Sequence, residues 1–172
     1  MANRKVVGVR RNVRIRTDLT TENELRQMAK REGVKVTFYS GAGDEGGHAG
    51  SGIISMNRNK FKEQTDFYLR GVEITMENKH IIQMPTSKAI FFHEKAHLMF
   101  SKNADFGHKI LNALKKLHVE GEYGHPTAYA AITNEFEGMM EFYAFFRLKP
   151  AKLRVTQPKV YKLMRQWHQA VG

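Results

Sequence analysis

Residues 93–97 read His-Glu-Lys-Ala-His, a spacing that can hold a catalytic metal ion. On an α-helix, His93 and His97 lie one turn apart and face the same side. Two imidazoles so placed can bind one zinc ion, with each nitrogen about 2.0–2.1 Å from the metal. Glu94 then lies within reach of a water molecule activated by that ion and can act as its general base. A helix with two core histidines and one exposed glutamate would give the same five residues.

A catalytic zinc ion usually has three protein ligands, so a further donor must come from another element. A second predicted helix, 133–148, contains Glu135, Glu137 and Glu141. Glu137 and Glu141 are one turn apart, which suits a metal ligand and a carboxylate that orients a ligating histidine. We therefore predict Glu137 as the third ligand and Glu141 as the orienting carboxylate, with Glu135 as the alternative ligand. Gly138 is expected to let the two helices approach closely.

Residues 81–148 resemble the gluzincin metallopeptidases, and more narrowly the catalytic domain of anthrax lethal factor and related toxin and phage-encoded peptidases. The resemblance rests on the His-Glu-x-x-His segment, a gap of about forty residues, and the segment 129–137, Tyr-Ala-Ala-Ile-Thr-Asn-Glu-Phe-Glu. It implies a zincin-like fold, a zinc ion bound by Glu137, and Tyr129 as the hydroxyl that stabilises the oxyanion. Three other side chains remain alternatives for the oxyanion role: Tyr123, His125 and His108.

Alternating apolar residues predict strands in the first half of the chain, over residues 5–15, 34–39, 53–56, 71–76 and 80–84. The glycine-rich stretch 41–52 predicts a mobile loop or a hairpin with a wide turn, where His48 is a candidate substrate-side group. Strand 80–84 is the expected sheet edge for an extended substrate.

Helical periodicity predicts helices over residues 21–32, 86–100, 109–118, 133–148 and 159–170. Thr21 and Glu24 form a capping box for the first, and Thr86 or Ser87 is expected to cap the second. Strands and one helix followed by helices indicate an α+β fold: a small mixed N-terminal sheet, an active-site helix and a helical C-terminal half.

The chain has 172 residues, which suits a single metallopeptidase domain over 1–172. It has no cysteine, which excludes disulfides, thiolate zinc sites and a cysteine nucleophile. We find no signal peptide and no membrane-spanning run, so we expect a cytoplasmic protein, with delivery or virion association as alternatives. The net charge of +11 is concentrated in residues 4–16 and 149–165, which could contact an acidic partner or nucleic acid.

Together these features predict a phage or bacterial zinc endopeptidase, which hydrolyses peptide bonds in a protein or peptide substrate with Glu94 as general base. One alternative keeps the metal and makes the protein a repressor-cleaving regulatory protease of phage or bacterial type. The other is a basic structural protein whose zinc ion only joins two helices. A structural zinc site would be closed by four protein ligands.

Overall fold

The computed structural model describes residues 18–43, 45–61, 64–68, 81–121 and 126–172. They form a mixed α+β fold that is mostly helical, which confirms the α+β part of the predicted fold class. The strands predicted over 5–15 and 71–76 lie outside the described residues, as do Tyr123 and His125. Within the described ranges, no helix combines the length and apolar character that a membrane crossing requires.

The first helix, α1, spans Glu22–Arg31 and begins with the predicted capping box. The Glu24 amide donates to the Thr21 hydroxyl at 3.2 Å, and the Thr21 amide donates to the Glu24 carboxylate at 2.8 Å. The two bonds satisfy two amides that the first turn leaves unpaired. Gly33 follows the helix with φ +67°, a conformation that glycine adopts without steric cost.

A three-stranded sheet follows, made of β1 (Lys35–Tyr39), β2 (Gly47–Gly50) and β3 (Ile53–Asn57). The strand order is β1-β3-β2, with β3 parallel to β1 and antiparallel to β2. Strand β2 lies inside the glycine-rich stretch 41–52, which the sequence predicted to be a loop or a hairpin. Ser51 and Gly52 join β2 to β3 with φ values of 49° and 75°, which is a tight two-residue turn. The prediction of a wide turn in this hairpin is therefore wrong.

A second sheet consists of β4 (Gln64–Tyr68) and β5 (Ile81–Pro85), which pair antiparallel. Strand β5 corresponds to the strand predicted over 80–84, although residue 80 is outside the described ranges. A short 3-10 turn, Arg58–Lys60, follows β3.

Helix α2 spans Thr86–Lys102 and contains the motif. The prediction that Thr86 or Ser87 caps it is wrong, because the cap residue is Pro85, whose side chain makes no hydrogen bond. Asp18, which is distant in the sequence, caps the helix instead. Its carboxylate accepts hydrogen bonds from the Ser87 amide at 2.8 Å and from the Ser87 hydroxyl at 2.6 Å. A carboxylate at this end also complements the positive end of the helix dipole.

The C-terminal half is helical, as predicted. It comprises α3 (Ala104–Val119), α4 (Ala128–Ile132), α5 (Glu135–Leu148), α6 (Pro150–Thr156) and α7 (Pro158–Val171). The sequence did not predict α4 or α6, and it began the third helix about five residues late. Helices α2 and α5 pack against each other in the core, and α7 covers α5 with the fully buried Trp167.

The packing of α2 against α5 does not depend on Gly138, contrary to our expectation. A methyl group at Gly138 would lie 3.8 Å from the Ala130 side chain of α4, which is ordinary van der Waals contact. Tight approach occurs instead between α2 and α3, where a methyl at Gly107 would lie 2.5 Å from the Phe100 ring.

Candidate metal centre

Helix α2 directs both motif histidines toward α5. His93 is buried and His97 is partly buried. Their Nε2 atoms lie 3.1 Å apart, so both rings point the same nitrogen at one region of space. The rings also pack edge-on, with centroids 5.0 Å apart. The one-turn spacing on α2 thus produces the pair of imidazole donors that the sequence predicted.

The first turn of α5 supplies the third donor. The Oε2 atom of Glu137 lies 3.0 Å from Nε2 of His93 and 3.5 Å from Nε2 of His97. Asn134 fixes the start of this helix, because its side chain accepts a hydrogen bond of 3.0 Å from the Glu137 amide. Within the described ranges, His93, His97 and Glu137 are the one group of His, Asp and Glu side chains close enough to share a metal ion.

The size of this triangle suits zinc. Tetrahedral bonds of about 2.0–2.1 Å place neighbouring ligand atoms about 3.3 Å apart. The three donor atoms here are separated by 3.0, 3.1 and 3.5 Å. Two imidazole nitrogens and one carboxylate oxygen are also a donor set that zinc accepts in catalytic sites. The residues present therefore fit the ion without any movement of α2 or α5.

Glu141, one turn after Glu137, bonds the other nitrogen of His93. Its Oε1 atom lies 2.5 Å from Nδ1 of His93, and the Glu141 side chain is 14% exposed. A proton on Nδ1 shared with this carboxylate leaves the lone pair of Nε2 free to bind a metal. Glu141 therefore lies where the sequence predicted an orienting carboxylate.

Hydrogen bonds within the site shift the pKa values of its members. Burial alone would lower the pKa of His93, but hydrogen bonds to Glu137 and Glu141 raise it to about 10. Hydrogen bonds from His93 and His97 lower the pKa of Glu137 to about 2. His93 contacts both carboxylates, Glu137 through Nε2 and Glu141 through Nδ1. A metal ion takes the place of a proton on Nε2 of His93, since only neutral imidazole is a ligand.

Glu94 is buried beneath the edge strand β2. It is 7% exposed, and burial raises the pKa of its carboxyl above the usual value. Two glycines allow the chain at β2 to approach helix α2 closely. A methyl at Gly46 would lie 2.7 Å from Cδ1 of Ile90, and one at Gly47 would lie 3.3 Å from Cγ of Glu94. The glycine-rich segment is therefore a close-packed strand over the motif helix.

Tyr129 lies on α4, at the border of the site. Its ring centroid is 6.0 Å from that of His93, and the residue is 49% exposed. Partial burial and then the nearby Glu137 and Glu141 carboxylates raise the pKa of its phenol, which stays protonated at neutral pH. The structure thus places a phenolic donor beside the predicted ligands.

Other sequence candidates lie apart from the triangle. Glu135 is in the first turn of α5 but does not join the group that could share a metal ion. His108 is exposed on α3 and packs against Phe100, with ring centroids 4.9 Å apart. His48 is exposed on β2, with Nδ1 3.7 Å from the Glu45 carboxylate. Tyr123 and His125 are outside the described residues.

A buried ion cluster lies behind the motif and was not anticipated from the sequence. Lys95 is 5% exposed and forms an ion pair with Glu32, at the end of α1. The same carboxylate bonds Arg147 of α5 at 2.5 and 2.8 Å, so Glu32 links the two helices that supply the triangle. The pKa of Glu32, which burial would raise, is lowered to about 2 by the bonds from Arg147 and Lys95. A lysine inside the apolar motif helix was the available signal, because a buried ammonium requires an acidic partner.

No family model, curated protein or solved structure matches this chain.

Proposed function

We propose that the protein is a zinc-dependent endopeptidase of gluzincin type. The observation that carries this proposal is the triangle of two imidazole nitrogens and one carboxylate oxygen, 3.0–3.5 Å apart, with Glu141 bonded to His93 behind it. Zinc, when bound by His93, His97 and Glu137, would supply a Lewis acid that polarises the scissile carbonyl and lowers the pKa of water toward about 7.

Two side chains would act as the general base and as the hydrogen-bond donor to the developing negative charge. Glu94, next to the first ligand and buried, takes the proton of the attacking water and passes it to the leaving nitrogen. The protonated phenol of Tyr129 donates a hydrogen bond to the oxygen on which negative charge develops. Both roles agree with the surroundings of these residues, because Tyr129 packs against His93 and the charges of His93, His97 and Glu137 act on Glu94.

The outer edge of β2 is the proposed binding edge for an extended peptide. It is the last strand of its sheet within the described part of the chain, and Gly47 packs directly against Glu94. A peptide that adds to this edge by backbone hydrogen bonds would run beside the general base. We favour β2 over β5, which the sequence suggested, because the contact with Glu94 is made by β2.

A purely structural zinc site fits these residues less well. Such a site is normally closed by four protein ligands. Among the residues that the structure describes, the triangle has three members, which leaves a position for water or substrate. This open position favours the enzyme over a zinc-stapled structural protein.

The deciding experiment measures zinc content and cleavage of a mixed peptide library by the wild type and by Glu94→Gln. We expect one zinc per chain in both proteins, and a rate lower by about 10²–10⁴ in the variant because Gln cannot accept the proton. Glu135→Gln is the matched control, with one charge lost outside the triangle and no loss of rate. Equal cleavage by wild type and Glu94→Gln would exclude this mechanism.

A further inference from the structure

The last part of the chain has a charge pattern that the proposed peptidase chemistry does not use. Residues 142–172 contain no Asp or Glu and seven Lys or Arg residues. Arg147 forms an ion pair with Glu32 in the buried cluster. The other six cations belong to the segment from Lys149 to Arg165, which comprises α6 and most of α7.

Helix α7 separates its apolar and basic residues cleanly. Its core side is fully or almost fully buried and consists of Val160, Met164, Trp167 and Val171. The opposite side is exposed, and apart from Pro158 and Ala170 its residues are cations and amides: Lys159, Lys162, Arg165, Gln166 and Gln169. Every side chain in that second set can donate hydrogen bonds to an anion.

The face continues onto α6 and the residue before it. Lys149, Lys152 and Arg154 are exposed. Within the described part of the chain, none of these three forms an ion pair, and neither does Lys162 or Arg165. By contrast, Lys116 on α3 is 3.9 Å from the Glu120 carboxylate. We call the six residues Lys149, Lys152, Arg154, Lys159, Lys162 and Arg165 the basic face.

We propose that the basic face binds the phosphodiester backbone of a nucleic acid, without reading its sequence. Lys162 and Arg165 are three residues apart, which is about 4.5 Å along the helix axis. Phosphates recur about every 3.4 Å along each strand of a duplex. A polymer with a charge on every repeat can therefore meet these cations in many registers.

Base readout has no basis on this face. Trp167, the only tryptophan of the chain, is fully buried and cannot stack on a base. Base-edge contacts give sequence preference, whereas Lys and Arg on phosphates give affinity and position. Binding through the basic face is therefore electrostatic and strongly dependent on salt.

A membrane surface is a poorer partner for this face. An amphipathic helix binds a bilayer by burying its apolar side in the lipid interface. The apolar side of α7 is already occupied by the protein core, since Met164 and Trp167 are fully buried. Val155 is the one large apolar residue exposed on α6, at 77%. An anionic vesicle is therefore the negative arm of the test.

The test measures binding of the full chain to a 20-base-pair DNA, a 20-base single-stranded RNA, poly-glutamate and phosphatidylserine vesicles over a range of salt concentrations. The face variant is Lys162→Gln with Arg165→Gln. The control is Lys30→Gln with Arg31→Gln, two exposed cations on α1 whose loss changes the net charge equally. For duplex DNA, the slope of log affinity against log salt should fall by about 1.8 in the face variant, which corresponds to two phosphate contacts.

In the control variant the slope should stay at the wild-type value. Equal losses in the face and control variants would show attraction by net charge alone and would overturn the proposal. Poly-glutamate binding as tight as DNA, with the same sensitivity to the face variant, would replace nucleic acid by an acidic protein partner. Binding to anionic vesicles but not to DNA or RNA would also overturn it. The tighter binding of the two, to DNA or to RNA, shows which nucleic acid supplies the phosphodiester backbone.

Discussion

The Glu137 carboxylate contacts both motif histidines, and Glu135 on the same turn of α5 contacts neither. We predict that Glu137→Gln loses zinc, because a charged ligand becomes a neutral amide. Glu135→Gln should keep one zinc per chain, although it loses the same charge. Zinc content after dialysis, with competition against a chelator, measures the difference. Full zinc occupancy in Glu137→Gln would return the ligand role to Glu135 or to a residue outside the described ranges.

Tyr129 should affect turnover and nothing else. Its phenol is half exposed, so removal of the hydroxyl in Tyr129→Phe leaves no buried gap. We expect unchanged zinc content and melting temperature, and a fall in kcat of about 10²–10³ if the hydroxyl stabilises the oxyanion. Cleavage of one confirmed peptide substrate measures this. Unchanged kcat would move the role to Tyr123, His125 or His108 and leave the peptidase proposal standing.

At the residue scale, local spacing determines the two pairs of donors within the helices. A one-turn separation on a helix fixes the relative directions of His93 and His97, and likewise of Glu137 and Glu141. The sequence did not predict the partners of Lys95, since Glu32 and Arg147 come from two different elements. Such long-range ion pairs leave no local periodicity, and a lysine inside an apolar helix was their sequence signal.

At the scale of the elements, Glu32 links α2 and α5 through its ion pairs with Lys95 and Arg147. Removal of this carboxylate would leave Lys95 and Arg147 buried without their counter-charge. We predict that Glu32→Gln destabilises the fold by about 3 kcal/mol in urea denaturation at pH 7. Glu22→Gln, which breaks the exposed pair with Arg58, should cost less than about 1 kcal/mol. Similar costs for both variants would contradict a special role of the buried cluster.

The contribution of Glu32 should disappear in acid. Its pKa is lowered in the fold to about 2, below its usual value of 4.5, so its stabilisation is complete above about pH 5 and is lost as the pH falls toward 2. In chelator, the difference in unfolding free energy between wild type and Glu32→Gln should therefore fall below half its pH 7 value at pH 3. A difference that does not change between pH 7 and pH 3 would mean that the substitution acts through packing and not through charge.

Elements with strong local signals were predicted, and elements determined by tertiary contacts were not. Periodicity placed α1, α2, α5 and α7 within a few residues, and the capping box of α1 is confirmed. The N-terminus of α2 depends on Asp18, which is 69 residues from Ser87, so no local pattern could indicate it. Strand β2 has little strand propensity, and Gly47 fits the close contact with Ile90 and Glu94.

For the molecule as a whole, the site and the fold should be only partly coupled. The core residues Phe91, Met139 and Phe142 are fully or almost fully buried and do not depend on a metal ion. The contacts of His93 with Glu137 and Glu141 also hold the triangle together. We therefore expect the zinc-free protein to stay folded, unlike small zinc-dependent domains that unfold without their metal.

Zinc should nevertheless raise the stability of the folded chain, because it binds the assembled triangle and has little affinity for the unfolded state. With free zinc a thousandfold above its dissociation constant, the stabilisation is about 4 kcal/mol. For a chain of this size, that is a rise of roughly 8–16 °C in melting temperature, since 1 kcal/mol corresponds to about 2–4 °C. Calorimetry of the zinc-loaded and chelated protein measures the rise, and Glu137→Gln should show almost none. Equal melting temperatures for the two forms of the wild type, in a sample shown to lose its zinc, would contradict tight binding at this site.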